Sequence, residues 1–211
     1  VWSKTYGGTS SDYGYAMDQT SDSGFIIAGQ TFSYGLGGSS DMYLIKTNST
    51  GDTLWTRTYG GTSYDVAYSV KQTNDGGYII AGWTYSFGIN GDVYLVKTNS
   101  NGDTLWTKVI GGSAADWGNS VMQTADSGYV VAGWTASYGA GSDDCYLIKT
   151  NSQGDTLWTT SFGGAFKDRA YAVRQTGDGG YILAGLTESE GNGLTDVYLL
   201  KTDGKIGRAH V

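Results

Sequence analysis

An all-β fold, a propeller of four-stranded antiparallel blades, is what this sequence predicts, and three observations predict it. The chain repeats itself: Trp2, Trp55, Trp106 and Trp158 recur at intervals of 53, 51 and 52 residues, and Gln19, Gln72, Gln123 and Gln175 step identically. Each repeat holds four short apolar runs punctuated by Gly, Asp and Asn, and a unit of that size and strand count matches a propeller blade. No run keeps a helical period. A β-solenoid is the rival, but its coils usually repeat at shorter periods.

The second unit justifies the elements in order. Residues 54–60 (LWTRTYG) form the first strand candidate and 67–73 (AYSVKQT) the next. NDGG then turns tightly into 78–84 (YIIAGWT), because glycine supplies the positive φ that a hairpin turn needs. A Gly-rich loop leads to 92–98 (DVYLVKT), and NSNGD returns to the next LW. YIIAG is apolar at both parities, so that strand should be covered on both faces, as stacked blades require. The units are about 2–54, 55–105, 106–157 and 158–204. Each opens with the Trp strand, the outer strand of a blade. Residues 2–6 are expected to complete the last blade by pairing with 196–202, within the chain or across to a second copy; otherwise the four blades are an arc of a larger ring, whose open edges would favour self-association.

Composition bounds the function. The chain has 211 residues, 39% of them hydrophobic and 16% charged, with 35 glycines and no proline. That is enough apolar material for a core, and no stretch is long enough to span a bilayer as a helix. A net charge of −7 argues against nucleic acid and anionic membrane surfaces.

The repeat text QTNDGGYIIAGWTYSFG…DVYLVKTNSNGDTLWTKVIGG resembles repeats of large secreted bacterial and archaeal proteins. Those are related to the delta-60 type propeller repeat and more loosely to kelch, and some carry bulb-type lectin labels. The resemblance runs from residue 1 to about 204 and implies a secreted or cell-surface propeller, without an activity. Where a fourth GDTLW is due, the chain instead reads Lys205 and IGRAHV, and residues 206–211 resemble a translated sequencing adapter. They are expected to be a non-native tail that adds nothing to stability.

His210, the only histidine, lies in that tail, so neither a Ser-His-Asp relay nor a histidine metal site can be built from the repeats. Cys145 occupies the apolar strand position of Met42, Val93 and Val197 and reads as core. Two sets of aspartates recur: Asp12, Asp65, Asp116 and Asp168 before the innermost strand, and Asp41, Asp92, Asp144 and Asp196 opening the third. In a propeller both sets lie at one face. They are candidate calcium ligands, although no spaced calcium loop is present and turn capping is the simpler role. Glu188 and Glu190, the only glutamates, read as loop variation. The loop after the second strand carries Tyr34, Phe87 and Tyr138, with Trp83 and Trp134 just before it. These five rings are candidates for stacking on a sugar, against packing between blades. The expected function is a non-enzymatic structural or interaction module bound to a protein or a surface glycan, with calcium the only cofactor considered. The alternatives are a glycan-binding propeller and an accessory domain of a secreted hydrolase.

Overall fold

The computed structural model describes residues 1–204 and 206. Among the described residues, fifteen strands build four antiparallel sheets. The first blade is β1 (Asp12–Gln19), β2 (Phe25–Thr31), β3 (Asp41–Thr47) and β4 (Thr53–Tyr59). The second is β5 (Asp65–Gln72), β6 (Tyr78–Thr84), β7 (Asp92–Thr98) and β8 (Thr104–Ile110). The third is β9 (Asp116–Gln123), β10 (Tyr129–Thr135), β11 (Asp144–Thr150) and β12 (Thr156–Phe162). The fourth has three strands, β13 (Asp168–Gln175), β14 (Tyr181–Thr187) and β15 (Asp196–Lys201). Strand order follows chain order in every sheet. A blade thus begins at the Asp strand and ends at the Trp strand, so each sequence unit straddles two blades.

The blades stack face to face. Ile26, Ala28, Met42 and Leu44 of the first pack against Ala67, Val70, Tyr78 and Ile80 of the second. Ile79, Ala81, Val93 and Leu95 of the second pack against Val121, Tyr129 and Val131 of the third. Alternate residues of one strand therefore enter different cores, which is why β6, β7, β10 and β11 are buried along their whole length. At about 25 cal/mol per Å² of apolar surface, such two-sided burial is the main stabilising term of the fold.

The repeated residues are the joints. Gly51, Gly102 and Gly154 of the NSxGD turns have φ of 79°, 80° and 78°. Beside each lies the tryptophan that opens the same unit: Trp2 at Gly51, Trp55 at Gly102, Trp106 at Gly154. The next residue is an aspartate that meets a cation two residues after that tryptophan, in Lys4–Asp52 (2.9 Å), Arg57–Asp103 (3.4 Å) and Lys108–Asp155 (2.7 Å). GDTLW recurs because it locks one blade to its neighbour. The other end of the repeat is a second lock. Asp75, in the β5–β6 turn, accepts from the Thr73 hydroxyl, from Gly77 N–H and from Lys97 Nζ (2.8 Å), and Lys97 is 3% exposed. Lys46 and Lys149 repeat the pairing with Asp22 and Asp126.

The ring is open. First strands lie side by side from β1 to β5, β9 and β13, but no comparable packing joins the fourth blade to the first. Val197 and Leu199 are 90% and 66% exposed. Among the described residues the expected pairing of 2–6 with 196–202 does not form within the chain: β15 pairs with β14, and residues 1–8 join no sheet. The opening segment instead lies on the first blade as the outer strand of a preceding blade would. Trp2 packs on Phe25 (6.2 Å) as Trp55 packs on Tyr78 (5.8 Å), and the Tyr6 hydroxyl donates to Gly51 O. Side chains hold it there, and no inner strand offers its backbone a ladder. At the other terminus Ile206 packs against the third apolar cluster. The rest of the expected tail, His210 included, lies outside the described residues.

Candidate functional site

Both sets of aspartates stand at one end of the blades, since Asp65 and Asp92 both flank Thr84 in the sheet register. The first set holds loops. Asp65 Oδ2 accepts from Gly61 N–H (2.9 Å) and from the Ser86 hydroxyl (2.6 Å). Asp12, Asp116 and Asp168 bind Gly8 and Ser33, Gly112 and Ser137, and Gly164 and Ser189 in the same way. Burial opposes ionisation of Asp168, but the Ser189 and Thr187 hydroxyls outweigh it and lower its pKa. These four act as turn caps, the simpler of the two roles expected.

The second set meets the first in pairs. Asp41 Oδ2 accepts from Leu36 N–H (2.9 Å) and Asp92 Oδ2 from Ile89 N–H (2.8 Å). The other oxygen, Oδ1, of Asp41, Asp92 and Asp144 is sealed from water without a hydrogen-bond partner. It faces the next blade's aspartate across a glycine: a Cβ on Gly60 would overlap Asp41 and Asp65, and one on Gly111 or Gly163 would overlap Asp92 and Asp116 or Asp144 and Asp168. At these three junctions the first glycine of the pair makes room for two carboxylates, and the second donates its N–H. Burial, and then the neighbouring Asp65, push Asp41 above the ordinary carboxylate range; burial and Asp116 do the same to Asp92. The eight aspartates that are candidate calcium ligands stand as three pairs, with Asp12 and Asp196 at the open ends. Among the described residues no group of three or more acidic, histidine or cysteine side chains converges. Calcium takes 6–8 oxygens, so at a pair most would have to come from loop carbonyls and water.

The five candidate rings divide in two. Tyr34, Phe87 and Tyr138 lie 49%, 40% and 46% exposed on the loops. Each is propped from beneath by the third-strand tyrosine: Tyr34 on Tyr43 (5.6 Å), Phe87 on Tyr94 (5.5 Å), Tyr138 on Tyr146 (5.8 Å). The Tyr34 and Tyr138 hydroxyls donate to Gly7 O and Gly111 O, which fixes their planes. Trp83 and Trp134, by contrast, are buried and do not face solvent. They flank Trp117, with centroids 4.9 and 5.0 Å away, in a row that crosses the inner strands. Tyr68 stacks on the central Trp117 (6.0 Å), and Arg169 caps the Trp134 end, 4.4 Å over that ring and bonded to Asp143. Trp117 and Arg169 escape a reading by repeat because they share one position with Tyr13 and Val66. That variation beside an invariant aspartate is the signal that marks them. Cys145 is buried, and burial pushes its thiol up to about 12, far from a nucleophile's range.

No family model matches the chain, and no curated protein does. Among solved structures, Sqt1 from Chaetomium thermophilum is similar at a TM-score of 0.46 and 14% identity, over 89% of this chain and 43% of that one. An alpha-L-arabinofuranosidase from Clostridium thermocellum is similar at 0.43 and 14%, over 85% and 65%. The chain thus spans less than two thirds of the length of either. The blade architecture follows from the sheet order of the chain itself.

Proposed function

We propose that this chain is a non-enzymatic propeller module, secreted or displayed at a cell surface, that binds through the loop face carrying Tyr34, Phe87 and Tyr138. One observation carries the reading: an exposed, propped ring recurs at the same place on three successive blades. Rigid rings cost little conformational entropy to present, and equal spacing suits a ligand that is itself extended or repetitive. The acids repeat as well and are spent on loop backbone, so no single asymmetric centre stands ready for proton transfer. Any calcium held by the aspartate pairs is structural.

A protein partner is the first reading and a surface glycan the second, favoured by flat rings set beside loop amides and hydroxyls. A glycan array separates them. Selective binding that disappears in Tyr34→Ala and Phe87→Ala supports the glycan, whereas a blank array with retained partner capture supports the protein. Turnover of a glycoside and ester panel, with or without calcium, should stay at background. Calcium-dependent turnover abolished by Asp65→Asn would overturn the non-enzymatic reading.

A further inference from the structure

We propose that the groove between the second and third blades, at the hairpin-turn end of the strands, holds the ring of a neutral saccharide. The site lies between two internal blades and does not depend on what the loop face binds. The register sets the two ends apart: Tyr78 pairs with Gln72 beside the β5–β6 turn, whereas Thr84 pairs with Asp65 at the aspartate end, where the loop rings stand.

Three turns frame the groove: 73–77 of the second blade, and 124–128 and 151–155 of the third. Its volume is about 400 Å³, within the ordinary range of ligand sites. Trp106 forms the apolar wall. It is half buried, with its ring on Tyr129 (5.7 Å) and its outer edge against Gly154. Leu105, its neighbour on β8, is exposed at the same groove.

The rim opposite this wall is polar. The Asp75 side chain is half exposed, and among the described residues its Oδ2 accepts only from Lys97, so an acceptor site is left for a ligand hydroxyl. The Asn74 amide and the Ser127 and Ser152 hydroxyls line the groove and make no hydrogen bond within the described residues. They both donate and accept. Lys97 balances the charge of Asp75, so the groove favours no ion. An apolar wall facing a rim of donors and acceptors matches a ring with C–H groups on its face and hydroxyls around its edge.

The frame recurs along the chain and the rim does not. The Asp, Lys, Trp, Gln and Tyr of this groove stand at the same places in all three junctions. Where the middle junction has Asn74 and Ser127, the first has Ser21 and Gly76, and the third has Ala125 and Gly179. Ser127 is also a strained choice. Its φ is 65°, in the left-handed region, where Gly76 and Gly179 make the same turn at 80° and 81°. The turn itself is served better by glycine; what serine adds is a hydroxyl at the groove. The frame is therefore the blade's own, and the two varied rim residues give the middle junction its ligand.

The test is a proton–nitrogen NMR titration of the full chain with methyl glycosides of glucose, galactose, mannose, fucose and N-acetylglucosamine, with glycerol as the acyclic control. At least one glycoside should shift the Trp106 indole signal saturably. Asn74→Ala/Ser127→Gly gives the middle groove the rim of the third junction, residues that this fold already carries in equivalent places. Its circular dichroism spectrum should be unchanged and its affinity for that glycoside lower by about tenfold, the cost of losing two neutral hydrogen bonds. Tyr34→Ala/Phe87→Ala should leave the titration as it was, which separates this site from the loop face. The proposal is overturned if no glycoside shifts the signal, if glycerol shifts it equally, if the rim variant binds as well as the parent, or if the loop-ring variant abolishes binding.

Discussion

At the scale of single residues the repeated aspartates do opposite things to stability. Asp41 is 1% exposed, with one oxygen unpartnered and the Asp65 carboxylate beyond it. Its buried charge is therefore a cost at neutral pH. Asn keeps an acceptor for Leu36 N–H and aims an N–H₂ donor at Asp65. Asp41→Asn should raise the melting temperature at pH 7, measured by scanning calorimetry, and a fall would show that the charge is needed. Gly111 tests the other side of the same geometry. A Cβ there would overlap Asp92 and Asp116, so Gly111→Ala should destabilise by about 1–3 kcal/mol in urea titration, the ordinary range for overpacking.

At the scale of the element, the first hairpin turn of each of the first three blades is tied to the third strand by a lysine with almost no exposure. Lys97 meets only Asp75 and the Thr98 carbonyl. Removing the carboxylate strands a buried ammonium, though Asp75 itself is half exposed. Asp75→Ala should cost about 2–3 kcal/mol, at or below the low end for breaking a buried pair. Substituting Lys97→Met in the same background should return part of that loss, since the buried charge goes with its partner. The surface pair Arg57–Asp103 is the control, both side chains being well exposed, and its removal should change stability by less than about 1 kcal/mol.

At the scale of the whole molecule, two families of carboxylates set the pH profile. Lys46 holds Asp22 at about 2, and Thr124 and Lys149 hold Asp126 at about 2 against the cost of burial. Their folded values lie below the unfolded one near about 3.9, so the stability they contribute is whole above that value and is lost as pH falls through the folded pKa. Asp41 and Asp92 are raised, so their contribution has the other sign: it is present in acid and lost as pH rises through their folded values. Stability should therefore rise on mild acidification from neutrality and collapse toward about pH 2. In Asp41→Asn/Asp92→Asn the upper limb should flatten while the acid collapse stays. A second whole-molecule test concerns residues 1–7. With Trp2 and Tyr6 in place, Tyr43 and Ile45 beneath that segment are only 5% exposed. Deleting 1–7 should lower the melting temperature by several degrees and raise hydrogen exchange in β1–β3 before the other blades.

The sequence by itself determined the strands, their antiparallel order within a blade and the inter-blade place of Trp55, Trp106 and Trp158. Those follow from local signals repeated in phase: glycine at positive φ, alternation of apolar residues, and a period that only stacked units explain. It also placed the two aspartate sets at one end, because both bracket the second strand. Only the tertiary structure decided that Asp41 faces Asp65 and not solvent. A carboxylate's neighbour across a blade junction depends on twist and stacking distance, which no single repeat encodes. The same holds for Trp83 and Trp134, whose neighbours make them exposed loop rings in one dimension and buried members of a row in three. Closure was likewise beyond the repeat. Local rules make each blade, but whether the fourth meets the first depends on the angle between successive sheets, which no repeat encodes, and among the described residues the first strands of those two blades do not pack together.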